Sequence, residues 1–288
     1  MINKNNTLLV ALIILVFSNL SAQKISSEFK KNWFDGNAEI SSYSLNQSRY
    51  GEIRKGSAVL IYVTEDFLGE EQVKANKKSK TTIPVLKLNR TKKFLTGIYP
   101  YSIMTSTFSG LRSPQNMIKN VASIQEWCGQ SYLQMNSGDK ELKIISHSYF
   151  EGEADQEVSL NKTRTEDELW NLIRMTPNSL PLGELKLIPS LEMIRLDHKE
   201  IKTYDAITSL NKKGETSIYT ITYPSLKRSL SIEFSNSFPH AIEGWEEKYT
   251  GKGDSFVTTA KKIHTERRQY WRENNNASKK LRAPFKID

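Results

Sequence analysis

Ser217-Ile218-Tyr219-Thr220-Ile221-Thr222-Tyr223, a short break at Pro224, then Ser229-Leu230-Ser231-Ile232-Glu233-Phe234 decide how this chain is read. Polar and apolar side chains alternate along both segments, which is the period of a strand buried on one face and not that of a helix. The same period returns on either side. Ala241 to Tyr249 and Leu142 to Phe150 repeat it, Ile83 to Leu88 alternates, and Gly56 to Val63 is a nearly continuous apolar run. Met117 to Met135 reads as one long extended stretch. Gly51, Gly56, Gly69, Gly97, Ser109-Gly110, Ser137-Gly138-Asp139, Lys213-Gly214 and Gly251-Lys252-Gly253 supply turns between these segments. Many short strands with few helices between them predict a mainly β fold, an antiparallel sandwich or a half-open barrel with one or two short helices.

The helices are placed by their own signals. Ser26 to Phe34 sets Phe29, Trp33 and Phe34 on or near one face and ends at Asp35-Gly36. Thr165 to Met175 opens on a capping box, Thr165 with Glu168, and continues with Leu169, Trp170, Leu172 and Ile173. Pro177 and Pro181 stop it. Two arrangements fit this region: a subdomain break near 160–182, or a helix packed across one end of a single sheet. Glu70 to Thr82, rich in lysine, reads as an exposed loop.

The first 22 residues carry Lys4, an apolar run from Leu8 to Phe17 and a small-residue exit at Ser21-Ala22. This is the pattern of a secretory signal peptide, too short to span a bilayer, with cleavage expected between Ala22 and Gln23. Residues 23–288 are then one mainly β domain, exported to the periplasm or outer envelope. The chain is basic, with a formal charge of +9. Outside the cytoplasm such a surplus points to an amphipathic lipid or an anionic envelope component and not to nucleic acid. Cys128 is the single cysteine, so no intrachain disulfide forms.

Three groups of residues carry candidate chemistry. His147, Glu151 and Asp155, with Glu126 and Cys128 as neighbours in the adjoining strand, offer carboxylates for acid and base work or for a hard cation, and a thiol with a nearby imidazole. The plain alternative is a solvated strand end and a small buried thiol beside Trp127. No metal-ligand spacing, phosphate loop or nucleophile elbow is present, and no cofactor is expected. The aromatics Tyr99, Tyr101, Trp127, Tyr149 and Trp245 either line the interior of a half-open barrel as a ligand site or form its core. The segment from Lys261 onward carries nine Lys or Arg against three acids. Its Arg267, Arg268, Arg272, Lys279 and Lys280 either contact an anionic surface or stay solvated while Ile263, Tyr270 and Trp271 pin a closing helix to the core.

Ala58-Val59-Leu60-Ile61-Tyr62-Val63-Thr64-Glu65, Gly97-Ile98-Tyr99-Pro100-Tyr101-Ser102, Gln125-Glu126-Trp127-Cys128-Gly129 and Ser146 to Gln156 together resemble an uncharacterised family of exported proteins and lipoproteins of Bacteroidetes, chiefly flavobacteria. The chain departs from the lipidated members by having no lipobox cysteine. Members of that family sometimes carry the label septum formation inhibitor Maf. True Maf proteins are similar to one another in a Ser-x-Ser-x-Arg-Arg element, whereas Ser48-Arg49 is followed here by Tyr50. No Maf residue is therefore carried over. The expectation is an exported protein that binds an amphipathic or anionic ligand without catalysis. Its alternatives are a hydrolase or metal-dependent enzyme built on Glu126, His147, Glu151 and Asp155, and, more remotely, a nucleotide pyrophosphatase of Maf type.

Overall fold

The computed structural model describes residues 26–111, 117–250 and 255–287. The expected signal peptide, residues 1–22, and the turn expected at Gly251-Lys252-Gly253 lie outside the described residues. Sixteen strands form one sheet: β1 (Ala38–Arg49), β2 (Glu52–Leu68), β3 (Val73–Lys74), β4 (Thr82–Thr96), β5 (Tyr99–Gly110), β6 (Met117–Glu126), β7 (Gly129–Ser137), β8 (Glu141–Ser148), β9 (Gln156–Asn161), β10 (Arg164–Thr165), β11 (Gly183–Ile188), β12 (Tyr204–Lys213), β13 (Thr216–Tyr223), β14 (Arg228–Ser235), β15 (Ile242–Thr250) and β16 (Ser255–Arg268). The helices are α1 (Ser27–Trp33), α2 (Glu166–Met175) and α3 (Leu191–Leu196).

The opening segments are β13 and β14, paired antiparallel with Tyr219 opposite Ile232 and Ile221 opposite Leu230. Their alternation is the burial alternation: Tyr219, Ile221, Tyr223, Leu230, Ile232 and Phe234 are all buried. The strand order runs β10 to β16, then β1, β2 and β4 to β9, with β3 attached to β2. Among the described residues, only β10 and β11 pair in parallel. The two ends of this order, β9 and β10, are separated in the chain by Lys162 and Thr163 alone. The chain therefore draws the two edges together, and the sheet curls into a half-open barrel rather than a sandwich.

Two sequence readings change. Met117 to Met135 is a hairpin, β6 and β7, turning at Trp127-Cys128 and not one extended stretch. Gly56 lies inside β2, not in a turn, because a Cβ there would sit 2.2 Å from the carbonyl oxygen of Lys93 on β4. Glycine is what lets these two strands approach so closely.

The barrel is filled by α2. All of its residues from Glu166 to Arg174 are buried, and its capping box is complete: Glu168 N–H donates to Thr165 Oγ1 at 3.2 Å, and Thr165 N–H to Glu168 Oε2 at 3.4 Å. Leu169, Trp170, Leu172 and Ile173 join a core that includes Tyr43, Leu60, Tyr62 and Trp245. The charged residues of α2 are satisfied by the wall. Arg174 donates twice to Glu39 at 2.8 Å, Arg228 donates to both carboxylate oxygens of Glu166, and Asp167 accepts from Arg90 at 3.0 Å and from Asn120 at 2.7 Å. Buried charges persist only when partnered in this way. α3, also buried, adds Glu192, which accepts from Lys92 at 2.6 Å.

Candidate functional site

With α2 and α3 in place, the space left between Arg90, Lys92, Glu166, Glu192, Arg228 and Glu247 is about 40 Å³, room on the scale of a few waters. Burial opposes ionisation of Glu247, but Arg228 and Lys92 outweigh it and hold the carboxyl down at about 2. Of the five aromatics assigned to a lining, Trp245 is core, packed on Tyr43 and Trp170 with ring centroids 5.0 and 5.4 Å away. Tyr101 is buried against Phe94. Trp127 and Tyr149 are 69% and 72% exposed on hairpin tips. Tyr99 bridges the two sets, 6.0 Å from Tyr101 and 6.4 Å from Trp127. The set does not converge on one cavity, because the strand period was extended across turns.

The polar candidates come together only in part. His147 Nδ1 lies 2.8 Å from Asp155 Oδ1, and Glu126 Oε2 accepts the backbone N–H of Cys128 at 2.7 Å. β8 ends at Ser148, so Glu151 sits in the following turn and does not share a strand face with His147 and Tyr149. Glu153, in the same turn, is hydrogen-bonded to His198. Cys128 is exposed and not a packed apolar residue. Its hydrogen bond with Glu126, and that carboxylate's charge, push the thiol up, the opposite of what a nucleophile needs. Among the described residues, no group of three or more His, Cys, Asp or Glu is placed to hold a metal ion.

The C-terminal segment builds a site of a different kind. Arg267 and Arg268 belong to β16. Arg267 donates to Asp35 at 2.8 Å, and Arg268 is paired with Glu266 and Glu273. Beyond them the chain makes two 3-10 turns, Tyr270–Arg272 and Asn276–Phe285, that lie across the outer face of β16 and β1. These replace the closing helix expected from sequence. Phe285 anchors them, buried with its ring 5.2 Å from that of His264. Arg272, Lys279 and Lys280 remain exposed.

Between this tail and the sheet runs a groove of about 690 Å³. Its floor follows from strand parity: Ala58, Leu60 and Tyr62 of β2 point into the barrel, so Ser57, Val59 and Ile61 point out. Val59 pairs with Thr91 of β4, which pairs in turn with Met104 of β5, and Ile61 pairs with Ile40 of β1. Leu281 and Phe285 form the roof, and Lys93, Lys279 and Arg282 stand exposed at its edges. The groove is thus apolar on its floor and carries Lys93, Lys279 and Arg282 at its rim, beside the Arg268–Glu273 ion pair. Sequence reasoning found Arg268 and Lys279 but missed Val59, Ile61 and Met104, because outward apolar residues on a strand look like core until the barrel's inner face is known.

No protein-family model matches the chain, and no curated protein does. Among solved structures, the fold is similar to a β-barrel-like protein of the domain of unknown function DUF1849 from Brucella abortus. The TM-score is 0.50 at 10% sequence identity, over 80% of this chain and 97% of that one. The likeness supports the mainly β, barrel-like architecture. No helix among the described residues is long and apolar enough to cross a membrane.

Proposed function

We propose that this chain is a non-enzymatic binding protein of the cell envelope whose ligand is an amphipathic anion, an acyl chain ending in a carboxylate or phosphate, held in the groove beneath the tail. The support is the combination, in a space of about 690 Å³, of an apolar floor with cations at the rim. Pockets that take small ligands run about 300–1,000 Å³ and are mostly apolar with a few polar groups that fix orientation. The acyl chain lies along Val59, Ile61, Met104 and Leu281, and the head group meets Lys93, Lys279 or Arg282. The basic surplus and the signal-like N-terminus agree with an extracytoplasmic setting in which such anions are abundant.

Titration with cis-parinaric acid, followed by displacement with palmitate, dodecyl phosphate and hexadecanol, tests this. Both anions are expected to displace the probe, and the uncharged alcohol at least tenfold less well. Which anion binds more tightly identifies the head group. Ile61→Glu should abolish binding while leaving the circular dichroism spectrum unchanged, since Ile61 faces outward. Absence of probe uptake by the folded wild type, or equal uptake by Ile61→Glu, overturns the reading.

A further inference from the structure

The hairpins β1–β2, β4–β5 and β6–β7 all turn at the same end of the barrel, and neighbouring tips stand two strands apart, about 10 Å. Each tip presents apolar or aromatic side chains to solvent: Tyr50 and Ile53 on the first, Leu95 and Ile98 on the second, Trp127 on the third. Ile98 is 84% exposed, and with Leu95, Tyr50, Ile53 and Trp127 it makes a cluster of exposed apolar side chains, the feature that marks an interaction surface. The tips are also tied to one another. Tyr50 and Tyr101 share a hydrogen bond of 2.7 Å between their hydroxyls, and Tyr99 lies against Trp127.

Beneath these tips the balance of charge changes. Arg90, Lys92, Arg174 and Arg228, the buried cations deeper in the barrel, each have a carboxylate partner. Arg49 and Arg195 have none within ion-pair distance among the described residues. Arg49 donates to the Leu196 carbonyl at 2.8 Å and to the Tyr101 hydroxyl at 3.4 Å, and its guanidinium lies 4.5 Å from the Tyr50 ring centroid. Arg195 donates to Ser131 at 2.6 Å and stacks 3.9 Å from the Phe150 centroid, while its Nη1 is buried with no partner. Lys55 and Lys93 add exposed positive charge on the outward faces of β2 and β4. Glu52 is paired with Arg54, and Glu126 is held by the Cys128 backbone. On the fourth tip, between β8 and β9, Glu153 and Asp155 are bonded to His198 and His147, and Glu151 has no ion-pair partner among the described residues.

We propose that the three tips form a docking surface for an anionic phospholipid bilayer. Ile98, Leu95, Tyr50 and Trp127 enter the head-group layer, and Arg49, Lys55 and Lys93 face lipid phosphates. Exposed Trp and Tyr beside aliphatic and basic residues are the composition that partitions to such an interface. The surface is continuous with the groove: Lys93 sits at the groove rim, and Leu95 lies two residues farther along the same face of β4, about 7 Å away. Docking does not require the groove to be filled.

Flotation with vesicles of phosphatidylcholine alone, or with 30% phosphatidylglycerol, tests the assignment. The wild type is expected to float with the anionic vesicles only, and Leu95→Asp with Ile98→Asp to bind at least tenfold more weakly while keeping its affinity for palmitate. Vesicle binding without palmitate binding would end the groove reading and leave docking intact. Equal flotation of that variant overturns the docking surface. So does loss of flotation in Arg272→Gln with Lys279→Gln and Lys280→Gln while the tip variant still floats. A second measurement stands apart from the variant's folding: brominated lipids should quench wild-type tryptophan emission, and Trp127→Phe should remove that quenching. Undiminished quenching in Trp127→Phe overturns the proposal.

Discussion

Burial pushes the carboxyl of Glu168 up to about 7, and Arg164, 3.0 Å away, offsets this only in part. A carboxyl whose folded pKa lies above its unfolded value near 4.5 keeps its proton longer in the native state, so its contribution to stability is greatest below pH 4.5 and falls until about pH 7. Glu247, held at about 2, has the opposite sign: its contribution is complete above pH 4.5 and is lost as pH falls toward 2. Urea unfolding of Glu168→Gln should therefore lose the decline between pH 4.5 and 7 and keep the acid limb, since Gln still serves the capping box. A wild-type slope in that variant would refute the assignment. Gly56→Ala should cost about 1–3 kcal/mol by urea unfolding, because the new methyl group meets strand backbone. Cys128→Ser should leave the unfolding midpoint unchanged, and alkylation of the wild-type thiol should be slow at neutral pH. Neither Gly56 nor Cys128 was legible from sequence. A glycine amid β-formers reads as a turn and a cysteine beside tryptophan reads as core until the neighbouring strand is known.

At the scale of elements, the strands were legible and the place of α2 was not. Alternation marks Tyr219, Ile221 and Tyr223 as an inner face wherever the strand lies, and the capping box of Thr165 and Glu168 marks a helix start. The charges of Glu166, Asp167 and Arg174 look like a solvated face, however, because their partners Arg228, Arg90 and Glu39 are remote in sequence. Of the two readings open for the aromatics, a lined interior and a packed core, α2 leaves no room for the first around Trp245, and the proposed groove lies on the outer face. Glu39→Gln should destabilise by about 3–5 kcal/mol, since it strands the Arg174 guanidinium against Trp33 and Tyr62. Glu39→Leu with Arg174→Met should recover most of that loss. If the single and double variants unfold at the same urea concentration, the buried pair is not what holds α2 in the barrel.

For the whole molecule, the sheet keeps the order of the chain with a single cut. Read from β10 through β16 and on from β1 to β9, each strand is hydrogen-bonded to its successor apart from the two-residue β3, and the pairing of β1 with β16 is the one made between the two distant ends. Ala38 faces Arg268 across that pairing, so the first strand begins where the last one ends. A circular permutant opened between Lys162 and Thr163 and joined from Arg268 to Ala38 through a turn-length linker would turn the longest-range pairing into a hairpin. Rates of folding rise as sequence separation of contacts falls. Such a permutant, compared with a parent likewise lacking the residues before Ala38 and after Arg268, should refold faster by stopped-flow fluorescence, and a slower rate would mean that the β1–β16 pairing forms after the rate-limiting step. Because a two-residue strap joins β9 to β10, which are not paired with each other, the opened permutant would also report whether the two edges of the sheet stay together by packing on α2 alone or need their covalent clasp.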